Sequence, residues 1–135
     1  MIVGIGIDSV EIERFSAWHL HPQEQLKKLF SEQELSYCFS SPLKTAERLA
    51  ARFAVKEAFF KAFSAMTPSH EIPFFTVCKM VSVQDAPHAA PTLAIDWKTL
   101  HATSHKPLRI EPRCHVSITH TDSVATAMVL LETDK

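Results

Sequence analysis

The sequence predicts an α+β fold, with strands at both ends of the chain and helices between them. The apolar, β-branched run from Ile2 to Ile7 is too brief for a helix and predicts a buried strand. Near the other end, the runs 114–120 and 124–131 flank a Thr-Asp-Ser turn and predict an antiparallel hairpin. A long helical pattern lies between these segments. Together they predict a mostly antiparallel sheet packed against a long central helix and shorter helices.

The composition limits what the protein does. Its 135 residues and 46% hydrophobic content suit one domain spanning 1–135. A formal net charge of -1 argues against a surface that binds nucleic acid throughout, so any anion binding is local. The three cysteines form no CxxC pair, which favours free thiols in a reducing compartment. Because we find neither a membrane-length apolar run nor a signal-peptide pattern, we expect a cytoplasmic protein with no membrane or nucleic-acid partner.

The first strand contains the only two glycines of the sequence. Gly4 and Gly6 point to one side of the strand, which predicts that another backbone or a ligand approaches that face closely. Asp8 stands where we predict the strand to end. Asp8 or Ser9 caps the next helix, or Asp8 is a metal ligand; capping by Ser9 would leave Asp8 free for the metal.

Helical signals fill the region between residues 10 and 63. Apolar residues at three-residue steps predict an amphipathic helix over 10–20. Pro22 begins a second, short helix, and the capping box Ser-Glu-Gln-Glu at 31–34 begins a third that runs to about residue 39. A long helix then follows, from Pro42 to about Phe63.

Strand signals return after the long helix. We predict strands over 75–83 and 92–95, separated by a loop that contains prolines, and a brief helix over 97–103. The last two strands are those of the hairpin. Its first strand places Val116 and Ile118 on one face, which predicts a half-buried strand.

The long helix combines a buried periodicity with charges that a buried helix should avoid. At helical spacing, Glu57 shares a face with Phe53 and Phe60, and Lys61 follows one turn later. Desolvating an unpaired anion costs several kcal/mol, so we expect a cation, a metal or a raised pKa at Glu57. The alternative is that Glu57 and Lys61 form an ordinary surface ion pair.

Four basic residues recur at four-residue intervals along the same helix: Lys44, Arg48, Arg52 and Lys56. Like charges at this spacing repel each other by roughly a few tenths of a kcal/mol per pair. The pattern indicates either an anion, such as a phosphate, lying along the helix, or an ordinary solvated face.

Three blocks of sequence carry a resemblance to a known family. They are Gly4-Ile-Gly-Ile-Asp8 followed by Glu11 and Arg14, Arg52-Phe-Ala-Val-Lys-Glu57 followed by Lys61, and His115-Val-Ser-Ile-Thr-His120. In order and spacing they resemble holo-[acyl-carrier-protein] synthase, the short bacterial type of phosphopantetheinyl transferase, over nearly the whole chain. The resemblance implies a 4'-phosphopantetheinyl transferase-like fold and a homotrimer with sites between subunits.

The resemblance also implies an activity. Members of the family move the 4'-phosphopantetheine group of coenzyme A to a serine of apo acyl carrier protein and release adenosine 3',5'-bisphosphate, in support of fatty acid biosynthesis and lipid metabolism. They require Mg2+. Asp8 and Glu57 would be the metal ligands, and Asp8, Glu57 and Lys61 the catalytic residues. A carboxylate or a metal-bound water would accept the serine proton.

The remaining roles concern binding. By resemblance, the residues that contact coenzyme A would be Lys44, Arg52, Lys61 and His120. The predicted helix that contains Arg14 would dock the acidic carrier protein.

The sequence departs from the family pattern in two loops, where 63–66 and 88–91 contain no glycine, and Thr119 stands where serine is common. These departures motivate an alternative, a non-catalytic module that binds coenzyme A or a carrier protein. A metal-dependent phosphohydrolase is a third hypothesis.

Overall fold

The computed structural model describes residues 1–67, 72–104 and 108–134. Its strands are β1 (Ile2–Glu11), β2 (Val81–Gln84), β3 (Thr92–Ile95), β4 (Arg113–His120) and β5 (Val124–Glu132). Its α-helices are α1 (Gln23–Leu26), α2 (Glu32–Phe39), α3 (Thr45–Met66), α4 (Phe74–Cys78) and α5 (Trp97–Thr103), and short 3₁₀ helices span Ile12–Phe15, Trp18–Leu20 and Pro42–Lys44.

The main sheet is antiparallel and has the strand order β1-β5-β4, while β2 and β3 form a separate antiparallel pair. One face of the main sheet packs against α3. Alternate residues of β5 supply the centre of that face and are fully buried: Ala125, Ala127, Val129 and Leu131. The α+β class and the long central helix are therefore confirmed.

The two glycines of β1 lie directly against α3. A methyl group at Gly4 would overlap the carbonyl oxygen of Ala62, and one at Gly6 would overlap that of Ala58. The close approach predicted from these glycines is confirmed, and the approaching group is the helix backbone. Because only glycine leaves room for a carbonyl there, the contact fixes how α3 sits along β1.

The capping box at the start of α2 forms as predicted. The Ser31 hydroxyl accepts from the backbone N–H of Glu34 at 3.1 Å, and the Glu34 carboxylate accepts from the N–H of Ser31 at 2.9 Å. The predicted strand 92–95 and helix 97–103 are likewise confirmed, as is the hairpin of β4 and β5.

The prediction for the segment after Asp8 was wrong. β1 continues to Glu11, where it still pairs with Val124, so the predicted helix over 10–20 is replaced by the end of a strand and two 3₁₀ turns. Ser9 consequently caps no helix, and its hydroxyl lies 2.8 Å from that of Thr126. Strand pairing outweighs the helical spacing because each residue from Gly4 to Glu11 has a partner in β5.

The prediction of one strand over 75–83 was also wrong. Its first part forms α4, and only its end forms β2. Pro73 precedes α4, and its carbonyl accepts from the N–H groups of Thr76 and Val77. In the described part of the chain, no helix is both long and apolar enough to cross a membrane.

Candidate active site

Asp8 and Glu57 meet where β1 crosses α3. Asp8 belongs to the face of β1 that carries Gly4, Gly6 and Val10, so its side chain points toward the helix and is 18% exposed. Glu57 immediately precedes Ala58, whose carbonyl lies against Gly6. The glycine contact therefore brings two carboxylates, which are distant in sequence, to one place.

Lys61 lies one turn beyond Glu57 and reaches back to β1. Its ammonium donates to the carbonyl of Ile7 at 3.0 Å and lies 3.2 Å from Oδ1 of Asp8. The side chain is 51% exposed, so it can reach a ligand in solvent. Lys61 therefore pairs with Asp8, and the surface pair between Glu57 and Lys61 that the sequence left open does not form.

Glu57 is the less satisfied of the two carboxylates. Among the described residues, no group donates a hydrogen bond to it or forms a salt bridge with it. Burial, and next the negative charge of Asp8, raise the pKa of Glu57 above its usual value, while Lys61 and Arg14 partly offset the rise. Of the three alternatives that the sequence left open for Glu57, the raised pKa is the one present in this structure. A cation between the carboxylates would offset the repulsion from Asp8.

The donor set fits a hard divalent cation. Mg2+ takes oxygen ligands and commonly uses one or two carboxylates, with water and substrate phosphates completing its octahedron. Asp8 and Glu57 supply two such carboxylates at a partly exposed position. The described residues contain no cluster of three or more metal-binding side chains. The arrangement therefore suits Mg2+ better than a structural zinc ion, which requires about four protein ligands.

Arg14 lies in the 3₁₀ helix that follows β1, on the same side of the molecule. Its guanidinium stands 5.0 Å from the ring centroid of Phe53 and 5.9 Å from that of Phe15. Arg14 is exposed, and its charge is among those that lower the pKa of Glu57. The residue predicted to meet a partner thus borders the carboxylates and is open to solvent.

The four basic residues of the long helix do not form one exposed surface, so the interpretation as a continuous anion-binding stripe was wrong. Lys56 is 1% exposed, and its ammonium lies 2.9 Å from Oε1 of the fully buried Glu34. It also donates to the carbonyls of Cys78 and Val81. Lys56 therefore joins α3 to α2 and β2 in the core.

Arg52 is also largely enclosed. It pairs with Asp85, its guanidinium lies 4.2 Å from the ring centroid of Tyr37, and its Nε is buried without a hydrogen-bond partner among the described residues. Asp85 and Tyr37 line a cleft of about 430 Å³ between α2 and the β2–β3 pair. A phosphate in this cleft would reach Arg52 only beside or in place of Asp85.

Lys44 and His120 lie toward the other end of α3. His120 ends β4, and its Nε2 is 3.2 Å from Oε1 of Glu47, which is in the first turn of α3. Lys44 is exposed and immediately precedes that turn. Ten residues of helix separate Glu47 from Glu57, or about 15 Å. Within one chain, Lys44 and His120 thus form a group apart from Asp8, Glu57 and Lys61.

Three acidic partners of the basic residues could not be predicted from the sequence: Glu34, Glu47 and Asp85. Glu34 was assigned only its capping role, yet its second carboxylate oxygen accepts from the N–H of Val83 at 3.1 Å. The available signal was Lys56, which sits among apolar and small residues of the helix and so required an anion. Nothing in the local sequence indicates which one.

The two loops without glycine differ in what they require. Residues 63–66 complete the last turn of α3, which ends at Met66, and need no special backbone angle. In the loop between β2 and β3, His88 has a φ of 62°. Glycine adopts this left-handed region at the lowest cost, so a histidine here retains the backbone shape that a glycine would favour.

Comparison with known proteins identifies the family. The chain matches the model of the 4'-phosphopantetheinyl transferase superfamily over residues 4–127. Holo-[acyl-carrier-protein] synthase of Treponema denticola is 34% identical over 132 residues, which cover 98% of this chain and 99% of the relative. The protein of the same name from Treponema pallidum is 35% identical over 138 residues, covering 98% and 97%.

Solved structures agree with the sequence comparison. The acyl carrier protein synthase of Mycobacterium tuberculosis has a TM-score of 0.69 at 28% identity and covers 98% of this chain and 99% of its own. A holo-(acyl-carrier-protein) synthase from Bacillus anthracis, in complex with CoA (3',5'-ADP), has a TM-score of 0.71 at 26% identity and covers 99% of both chains. The expected transferase-like fold is confirmed, and the chain belongs to the 4'-phosphopantetheinyl transferase superfamily.

Proposed function

We propose that this protein is a holo-[acyl-carrier-protein] synthase: it transfers the 4'-phosphopantetheine group of coenzyme A to a serine of apo acyl carrier protein and releases adenosine 3',5'-bisphosphate. The observation that carries the proposal is the meeting of Asp8, Glu57 and Lys61 at the crossing of β1 and α3. The family match and the full-length relatives named for this activity support it.

The site suits phosphoryl transfer, in which catalysis is largely positioning and charge stabilisation. A magnesium ion held by Asp8 and Glu57 would neutralise charge on the pyrophosphate of coenzyme A. Lys61 supplies a second positive charge from a half-exposed side chain. The contact of Gly6 with Ala58 holds the two carboxylates in place before substrate binds, which lowers the cost of assembling the site.

We assign the coenzyme A phosphates to Lys44, Arg52, Lys61 and His120. Glu47, which His120 contacts, lies about 15 Å along α3 from Glu57, and Lys44 precedes Glu47 in the chain, so within one chain Lys44 and His120 are far from the carboxylates. A homotrimer with its sites between subunits would bring Lys44 and His120 of one chain beside the carboxylates of another. The proposed trimer thus accounts for the separation.

The outer face of the main sheet supports self-association. Ile5 and Ile7 of β1 are 58% and 59% exposed, and Met128 of β5, the pairing partner of Ile7, is 40% exposed. Contiguous exposed apolar patches mark interaction surfaces when they are large, and large neighbouring side chains on one sheet face favour such a patch. We assign this face to the trimer contact.

Arg14 is proposed to receive the carrier protein. Its exposed guanidinium, stacked over Phe53 beside the carboxylates, can pair with an acidic partner whose serine enters the site.

We place this single transferase domain in the cytoplasm, in the service of fatty acid biosynthesis. The free thiols Cys38, Cys78 and Cys114 suit a reducing compartment.

Intact mass spectrometry of an apo acyl carrier protein tests the proposal. The carrier is incubated with this protein, coenzyme A and Mg2+, with a matched sample containing a chelator. We expect one added phosphopantetheine per carrier, absent in the chelated sample. Binding of coenzyme A without any mass gain would favour the non-catalytic module, and release of phosphate without a carrier would favour a phosphohydrolase.

A further inference from the structure

In the part of the chain that the structure describes, the crossing of β1 and α3 holds two carboxylates and one cation in direct contact with them. Asp8 is paired with Lys61, whereas Glu57 has no hydrogen-bonding or salt-bridge partner among the described residues. A divalent cation shared by both carboxylates would need an oxygen of Asp8. Lys61 already lies at Oδ1 of that side chain, at 3.2 Å.

The ammonium and the metal are poorly compatible at this distance. Metal–oxygen bonds to Mg2+ are about 2.1 Å, so a metal on the Asp8 carboxylate would stand within a few ångströms of an ammonium that stayed in place. Like charges at such separations repel strongly where water is partly excluded, and Asp8 is largely buried. The half-exposed side chain of Lys61 can move away, since within the described ranges its one other hydrogen bond is to the carbonyl of Ile7.

We propose that Lys61 is a displaceable counter-ion: it occupies Asp8 when no metal is bound, and metal binding releases it toward the substrate's pyrophosphate. This inference rests on the proposed function, because it takes Asp8 and Glu57 as the metal ligands. It adds a sequence of binding events to that site: the metal binds first and makes Lys61 available to the anion. The same lysine therefore weakens metal binding in the free protein and strengthens anion binding in the loaded one.

Metal affinity of the substrate-free protein tests the exchange. Isothermal titration calorimetry with Mg2+ alone compares the wild type with Lys61→Met, which removes the ammonium and keeps a long side chain. Relief of the competition should tighten Mg2+ binding about two- to fivefold, the range expected for losing a half-exposed ion pair. Lys61→Arg, which retains a cation, should remain near the wild-type affinity.

A matched control separates displacement from a general change in charge. Arg14→Met also removes one positive charge beside Glu57, but Arg14 lies over Phe53 and contacts neither carboxylate directly. Its Mg2+ affinity should rise by less than twofold if direct occupation of Asp8 is the cause. Equal tightening in Arg14→Met and Lys61→Met would overturn the proposal, as would unchanged or weaker binding in Lys61→Met.

A structure with Mn2+ soaked into the substrate-free protein gives an independent reading. We expect the metal on Asp8 and Glu57 and the ammonium of Lys61 out of contact with Asp8. A metal bound there while Lys61 still holds Asp8 would overturn the exchange but leave the transferase assignment intact. Failure of the assignment itself would appear differently, as an unmodified carrier protein in the mass-spectrometric assay.

Discussion

Gly6 of β1 lies against the carbonyl of Ala58 in α3, and this contact places Asp8 beside Glu57. Each carboxylate is within two residues of the contact along its own element. The absence of a side chain at Gly6 therefore lets the backbone of β1 lie directly against the backbone of α3. This contact sets the distance between the two halves of the candidate site.

Substitution of Gly6 by alanine should move Asp8 away from Glu57. The added methyl would overlap the Ala58 carbonyl and stand 2.9 Å from the backbone nitrogen of Ala62, and a backbone obstacle cannot rotate away. We expect a loss of about 3 kcal/mol in the free energy of unfolding, together with impaired transfer. Urea denaturation measures the free energy of unfolding. Glu11→Ala, which changes an exposed residue of the same strand, serves as control. Wild-type stability in Gly6→Ala would contradict the contact.

The buried pair of Lys56 and Glu34 should contribute strongly to the free energy of unfolding. Removing Lys56 leaves the fully buried Glu34 without its ion-pair partner, and breaking such a pair costs about 3–5 kcal/mol. Lys61→Met makes the same substitution in the same helix at a half-exposed pair and should cost under about 1 kcal/mol. Chemical denaturation of Lys56→Met and Lys61→Met compares the two. Similar losses of stability in the two variants would show that burial does not determine the cost of breaking the ion pair.

Stability without metal should depend on pH through Glu57. Because burial and Asp8 raise its pKa in the folded protein above 4.5, the native state binds more protons than the unfolded state just above that pH. The free energy of unfolding contributed by Glu57 therefore falls as pH rises through this window. In a chelator, Glu57→Gln should gain stability relative to the wild type on going from about pH 4 to pH 7.

Glu132 provides a control of opposite sign. A hydrogen bond from His115, and next the charge of Arg113, lower its pKa, so its contribution is present above the ordinary glutamate pKa and is lost as pH falls. Glu132→Gln should lose stability relative to the wild type at neutral pH and less in acid. If Glu57→Gln and Glu132→Gln shifted in the same direction, the environment described for Glu57 would be incorrect.

The proposed trimer depends on the outer face of the main sheet. Ile7→Asp puts a charge among apolar side chains that would be desolvated on assembly, so the variant should be monomeric with its fold retained. Sedimentation velocity and circular dichroism measure the two properties. Leu20→Asp changes a residue that is 75% exposed outside this face and should leave the assembly unchanged. A trimeric Ile7→Asp variant would show that the subunits do not associate through this face.

Much of the fold could be predicted because its signals are local. The capping box at 31–34 and the alternation of β4 depend on neighbours in sequence, and both form as predicted. The end of β1 could not be predicted in this way, since its pairing with Val124 comes from the far end of the chain. α4 has only five residues, too few to show a helical period, and its Phe, Thr and Val favour strands.

The candidate site shows the same difference between what local spacing predicts and what tertiary contacts decide. Spacing alone placed Glu57 near aromatic rings and Lys61 one turn away. It could not tell a solvated basic face from a buried one, because that depends on Glu34 and Asp85, which other elements bring to α3. Four-residue spacing fixes which residues share a face of a helix, and tertiary contacts decide what that face meets.

Transfer by site variants, followed by mass spectrometry of the carrier protein, gives the decisive comparison. Asp8→Asn and Glu57→Gln keep the shape of each side chain and remove its charge, so both should fold and lose about a hundredfold or more in rate. Glu24→Gln, exposed on α1, should match the wild type. Folded Asp8→Asn and Glu57→Gln variants that still modify the carrier at the wild-type rate would contradict a site built on these two carboxylates.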